Sequence, residues 1–180
     1  ILNYETLIEL IVKENKFVAD VSGLYTVNAH FGNVTSSTKI KVTDRDIKRD
    51  IVQLGTGDVF DKHTSDAWFF EGVDGKDYGV SGTFFDGKAY FWDVTDPTNI
   101  TKVDSIKVDA RIVNDVKVSK DSKICVITKE GASNRKNGFV ILDISNPSDV
   151  KVLTEYTDGL TGGVHNVFID NNHVYFIWSL

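Results

Sequence analysis

Apolar and polar positions alternate with a period of two along most of this chain, and the alternation is broken at short intervals by Gly, Asn, Asp and Pro. That pattern predicts half-buried strands joined by tight turns. FVADV, LYTVNAHF and TKIKV carry it within the first 43 residues. ETLIELIVKEN alone could pass for a helix, and its β-branched residues leave that open. The remainder of the chain repeats. AYFWDVTDPTNITKV, from Ala89, lies over FVILDISNPSDVKVL, from Phe139, without a gap: Asp93 falls on Asp143, Pro97 on Pro147 and Val103 on Leu153, each 50 residues on. SDAWF from Ser65, NDVKV from Asn114 and HNVFI from His165 superpose as a polar pair followed by a strand, at spacings of 49 and 51 residues.

Between these anchors come a second strand (DYGVSGTF, KICVITKE, HVYFIWS), a hairpin, a third strand ending in Asp, and a fourth strand after a Pro turn (ITKVDSIKV, VKVLTEYT). Four strands in a repeat of roughly 50 residues match the content and period of a β-propeller blade. The turn residues agree. Asp74-Gly75 and Asp86-Gly87 supply the positive φ of a tight hairpin, while Asp96-Pro97 and Asn146-Pro147 end the third strands because proline cannot donate to a ladder. Asp93 and Asp143 then read as carboxylates that accept hydrogen bonds from the turn backbone. The expected fold is all-β: a partial propeller of about two and a half four-stranded blades, with blades at 63–110 and 111–160 and an incomplete one at 161–180. About four to eight blades close such a ring, so the remaining blades are expected from sequence missing here. Tyr25, Val27 and Ala29 share one face of a strand, and the strand Thr38 to Val42 ends at the charged joint TDRDIKRD. Residues 1–43 are therefore expected to be the C-terminal part of a small immunoglobulin-like β-sandwich, with 44–62 a linker.

Composition narrows the function classes. The 180 residues are 41% hydrophobic and 11% aromatic, enough for a core, and the net charge of −6 comes without any basic run that could track a phosphate backbone. Nucleic acid is not an expected partner. No apolar segment reaches the roughly 20 residues of a membrane span, and ILNYETLIELIV lacks the basic flank and cleavage site of a signal peptide. A chain with no methionine that begins at Ile1 and stops in VYFIWSL is expected to be cut from a longer polypeptide. The single Cys125, in KICVIT, reads as a buried small hydrophobe.

TSDAWFF, WDVTDPTNITKV, LDISNPSDVKVL and above all LTGGVHNVFIDNNHVYFI resemble the LVIVD-repeat proteins. The name motif, an apolar strand ending in aspartate before a proline turn, stands here as Val140-Ile141-Leu142-Asp143, while Tyr90-Phe91-Trp92-Asp93 carries aromatics in its place. The resemblance covers roughly residues 60–180 and implies a β-propeller of a bacterial or archaeal secreted or cell-surface protein. It implies an address in the extracellular space or cell envelope, and little mechanism.

Nucleotide-binding glycine loops, Cys-x-x-Cys pairs, His-Glu-x-x-His and Gly-x-Ser-x-Gly are absent from the sequence. Candidate chemistry is positional instead. First strands line a propeller's channel, so Ser65-Asp66, Asn114-Asp115 and His165-Asn166 are expected at one rim. Asp66, Asn114, Asp115, His165 and Asn166 are the candidate ligand-binding residues; Ca²⁺, or another cation held by Asp66, Asp115 and His165, would suit that oxygen-rich set. The competing reading has the same side chains hydrogen-bonding the loop into the next blade. His165 is the sharpest single candidate, since imidazole both ligates metals and moves protons near neutral pH. His30, His63 and His173 show no ligand spacing with it. Trp68, Trp92 and Trp178 are expected in the blade core rather than as a sugar-stacking platform, and Arg135-Lys136-Asn137-Gly138 as an exposed hairpin tip. The expected function is a binding or interaction module for a protein or carbohydrate at the cell surface. A propeller hydrolase or lyase and a purely architectural surface protein are the alternatives.

Overall fold

The computed structural model describes residues 12–13, 16–17, 19, 21–44, 50–59 and 61–178. The chain divides into two compact units, 1–51 and 52–180. In the first, β1 (Val12–Lys13) pairs with β2 (Lys16–Phe17), and β3 (Gly23–Phe31) pairs along its length with β4 (Val34–Val42). LYTVNAHF and TKIKV are thus strands, as the alternation predicts. Most of ETLIELIVKEN lies outside the described residues; Val12 and Lys13 within it are extended. FVADV departs from expectation, because Phe17 closes β2 while Ala19 and Val21 belong to no strand; Val18 and Asp20 lie outside the described residues.

The second unit holds two four-stranded antiparallel sheets and a hairpin. The first sheet is β5 (His63–Glu71), β6 (Asp77–Phe84), β7 (Lys88–Asp93) and β8 (Thr101–Lys107), hydrogen-bonded in chain order. The second repeats this order with β9 (Val116–Val118), β10 (Ile124–Lys129), β11 (Gly138–Asp143) and β12 (Lys151–Tyr156). β13 (Val164–Asp170) and β14 (His173–Trp178) form the hairpin. Its turn, Asn171-Asn172, takes φ of 45° and 65°, the paired positive φ of a two-residue hairpin turn that asparagine tolerates. No helix among the described residues is long and apolar enough to cross a membrane.

The sheets stack face to face, and alternation along each strand decides which seam a residue fills. Cys125, Ile127, Val140 and Leu142 of the second sheet pack with Val80, Ala89 and Phe91 of the first. The alternate residues Val126 and Phe139 pack with Val164 and Val167 of the hairpin, and the Phe176 ring lies tilted against Phe139 with centroids 5.4 Å apart. β10 and β11 are therefore buried on both faces, which is why ICVITK and GFVILD read as nearly continuous apolar runs, whereas β12 is exposed along its length. Cys125 is fully buried, and burial pushes its thiol far above the ordinary range. The innermost strand β9 lies beside both β5 and β13, so the first strands of the three repeats are neighbours. The result is a partial, open, propeller-like stack of blades.

The third strands end as the sequence implies. Asp93 Oδ1 accepts the Thr95 N–H at 3.0 Å and Asp143 Oδ1 accepts the Ser145 N–H at 2.9 Å. One turn later, Asp96 accepts from Thr98 at 2.9 Å and Asn146 from Ser148 at 3.1 Å. Two expectations need correction. Of the tryptophans only Trp92 is buried, its Nε1 donating to Ser81 Oγ at 3.0 Å, whereas Trp68 and Trp178 are 36% and 43% exposed. Of the hairpin tip, Arg135 and Lys136 are exposed but Asn137 and Gly138 are buried: Asn137 accepts the Ala132 N–H and donates to the Thr161 carbonyl at 2.7 Å, tying the hairpin to the segment that enters β13.

Candidate functional site

The sequence places three polar pairs at the openings of the first strands, and the structure brings them into one chain of hydrogen bonds running from sheet to sheet. Asp66, in β5, accepts the N–H of Val116 at 3.3 Å; Asp115, just before β9, accepts the N–H of Val167 at 2.7 Å. These two amides occupy the same place in successive repeats, one residue after the pair. The first members of the pairs reach forward too. Ser65 Oγ donates to the Val113 carbonyl, and Asn114 Nδ2 donates to the His165 carbonyl at 3.0 Å and lies 2.9 Å from its Nδ1. Backward, Thr128 Oγ1 accepts the N–H groups of Asn114 and Asp115, both at 2.9 Å, fixing the entry to β9.

Between Asp66 and Asp115 stands the ammonium of Lys117, which the sequence reading passed over. It donates to Asp66 Oδ2 at 2.8 Å, to Asp115 Oδ1 and to the Val116 carbonyl, and lies 5.1 Å from the centre of the Trp68 ring. A cationic side chain of the chain itself thus stands between the two carboxylates. A signal for it was present: two residues after each pair stand Trp68, Lys117 and Phe168, and a lysine among aromatics on an innermost strand needs a buried counter-charge. Burial works to raise the Asp66 carboxyl, but its hydrogen bonds with Asp115 and Lys117 outweigh this and bring it down to about 2. Asp115, 3% exposed, goes the other way: burial and the neighbouring Asp66 carboxyl raise it. Burial works to lower Lys117, and the two carboxylates reverse that and hold it charged.

His165 does not join the carboxylates. Its side chain is 70% exposed, with Nδ1 3.6 Å from Glu130 Oε1, an oxygen that is buried and without a hydrogen-bond partner. Burial raises the Glu130 carboxyl, against the opposing influence of His165 and Arg111. Asn166 is exposed at the position that Asp66 and Asp115 hold in the first two repeats. Among the described residues no three His, Cys, Asp or Glu side chains come together in a way that could hold a metal ion. The five candidate residues therefore split into a hydrogen-bonded relay of half-buried Asp66 and Asn114 with buried Asp115, and an exposed pair, His165 and Asn166.

The second sheet also carries the resemblance. Residues 133–158 match the LVIVD repeat. The match spans β11, the Asn146-Pro147 turn and β12, the portion of the LVIVD repeat in which Asp143 caps the strand-end turn and Leu142 faces the first seam. The corresponding stretch of the first sheet, from Ala89, keeps the same ladder and the same capped turn although it carries Tyr90-Phe91-Trp92 where the LVIVD repeat has aliphatics. No curated protein matches the chain.

Proposed function

We propose that the chain is a binding or interaction module of a secreted or cell-surface protein, in which the first-strand polar groups hold the sheets together rather than catalyse a reaction. One observation carries this reading. Asp66, Asn114 and Asp115 direct their hydrogen bonds to the following repeat, and Lys117 fills the space between the two carboxylates. A general acid or a nucleophile needs a reactive atom within reach of a substrate; Asp115 is buried with both oxygens engaged. What the stack offers to solvent is its hairpins, including Arg135, Lys136 and the exposed Phe85, over whose ring the Arg111 guanidinium sits at 5.9 Å. A protein or carbohydrate partner would meet these groups. The match to the LVIVD repeat supports the address outside the cytoplasm, and the regular β3–β4 hairpin supports reading residues 1–43 as the end of an immunoglobulin-like domain.

Arrays of glycans and peptides probed with the labelled chain test the proposal. Saturable binding that weakens when Arg135 and Lys136 are replaced by alanine, and persists in Asp115→Asn, is the expected result. Turnover of chromogenic ester or glycoside substrates that disappears in Asp115→Asn would overturn it.

A further inference from the structure

The turn between the third and fourth strands is built alike in both four-stranded sheets, and the two copies differ where it opens onto the fourth strand. Asp149-Val150-Lys151 of the second sheet stands 50 residues after Asn99-Ile100-Thr101 of the first. Val150 turns into the seam between the sheets and is 5% exposed, while Asp149 and Lys151, 61% and 62% exposed, form an ion pair on the solvent side. Two side chains at i and i+2 thus project together and come within hydrogen-bonding reach.

The first sheet puts an amide and a hydroxyl at those two positions. Ile100 turns inward with Trp92 against Gly57, where a Cβ would meet both. Thr101 pairs with Asp93, on the same side of β7 as Phe91, the side that faces the second sheet. That sheet has all four strands in place, and Asn99 and Thr101 remain exposed beside it. Among the described residues the Asn99 carboxamide and the Thr101 hydroxyl make no hydrogen bond, whereas the carboxamides of Asn28, Asn134 and Asn146 each accept one. An exposed, unengaged carboxamide with a threonine hydroxyl two residues on, and no proline between, is the acceptor pattern for N-linked glycosylation. A second such triplet, Asn33-Val34-Thr35, lies at the β3–β4 turn of the first unit, with its hydroxyl engaged 2.9 Å from His30 Nδ1.

We propose that Asn99 is an acceptor for an N-linked glycan, carried at the outer edge of the first sheet. The inference rests on the address outside the cytoplasm proposed above. Nδ2 of Asn99 forms a bond to the anomeric carbon of a lipid-linked saccharide; the bond from that carbon to the lipid phosphate breaks, the phosphate leaves with the electron pair, and a base of the transferase takes the amide proton. β8 is the last strand of its sheet, so the saccharide projects into solvent without displacing a packed group.

The full chain, given a cleavable export signal and produced in a host that attaches N-linked glycans, tests this. Enzymatic release of the glycan in heavy-oxygen water converts each occupied asparagine to a labelled aspartate, and peptide mapping reads Asn99 apart from Asn33. Label at Asn99 is expected in the wild type and in Thr101→Ser, which keeps the hydroxyl, and is expected to be lost in Thr101→Val, which keeps the shape. Circular dichroism on the exported chains checks that all three fold. An exported, folded wild type without label at Asn99, or label that persists in Thr101→Val, overturns the proposal. Because the signal is supplied, either result strikes the acceptor site alone, whereas the binding reading stands or falls with the glycan and peptide arrays.

Discussion

Replacing Lys117 by methionine would leave the Asp66 and Asp115 carboxylates facing each other without the cation between them. Removing one member of a buried charge cluster typically costs about 3–5 kcal/mol; Lys117 is 18% exposed and Asp66 34%, so the loss expected in urea unfolding is toward the low end, about 3 kcal/mol. Glu130 gives a prediction of opposite sign. Its folded-state pKa is raised, so the folded chain takes up a proton more readily than the unfolded chain, and folding gains as pH falls through that raised value. Above it, charge on a buried oxygen that has no hydrogen-bond partner is a cost. Glu130→Gln is expected to be more stable than the wild type by about 1 kcal/mol near neutral pH, with the difference closing as the solution is acidified. Thermal melts across that range check it; a difference independent of pH would contradict the assignment. The exposed Arg111 guanidinium and the His165 imidazole are the groups that face Glu130.

At the scale of elements, the LVIVD-repeat strands depend on close approach of backbone. Gly138 opens β11 with φ of 153°, and a Cβ there would collide with the Tyr156 carbonyl of β12. Gly138→Ala is expected to cost about 2–4 kcal/mol and to loosen the β11–β12 ladder, measurable as a lowered Tm together with faster amide exchange in β12. The strands and their turns were legible because period-two alternation and Asp-Gly, Asp-Pro and Asn-Pro punctuation are local signals that packing did not override. Arg135-Lys136-Asn137-Gly138 was legible only in part, because the burial of Asn137 follows from a carbonyl that lies 24 residues away in sequence. The exposure of Trp68 and Trp178 escaped for a similar reason: a tryptophan on a strand is buried only if another sheet covers its face. The role of Lys117 was not legible because its partner Asp66 lies 51 residues away in sequence.

At the scale of the whole molecule, the repeated polar pairs of the sequence become a relay that links each sheet to the next, reaching the exposed His165 through Asn114. The polar pairs at the openings of the first strands were legible in the sequence, while the contacts they make depended on distances that no spacing reveals. If the relay couples the sheets, Asp115 holds β13–β14 onto the second sheet through the Val167 amide. Hydrogen exchange at that amide, compared between the wild type and Asp115→Ala, tests the claim most directly. The account predicts that the substitution leaves a buried N–H unsatisfied at a cost of about 1–3 kcal/mol, roughly 5- to 150-fold faster exchange at Val167 and its β13 neighbours, with protection in β6 and β7 unchanged. Unchanged protection at Val167 in a folded Asp115→Ala chain would contradict it and return Asp115 to the candidates for ligand chemistry.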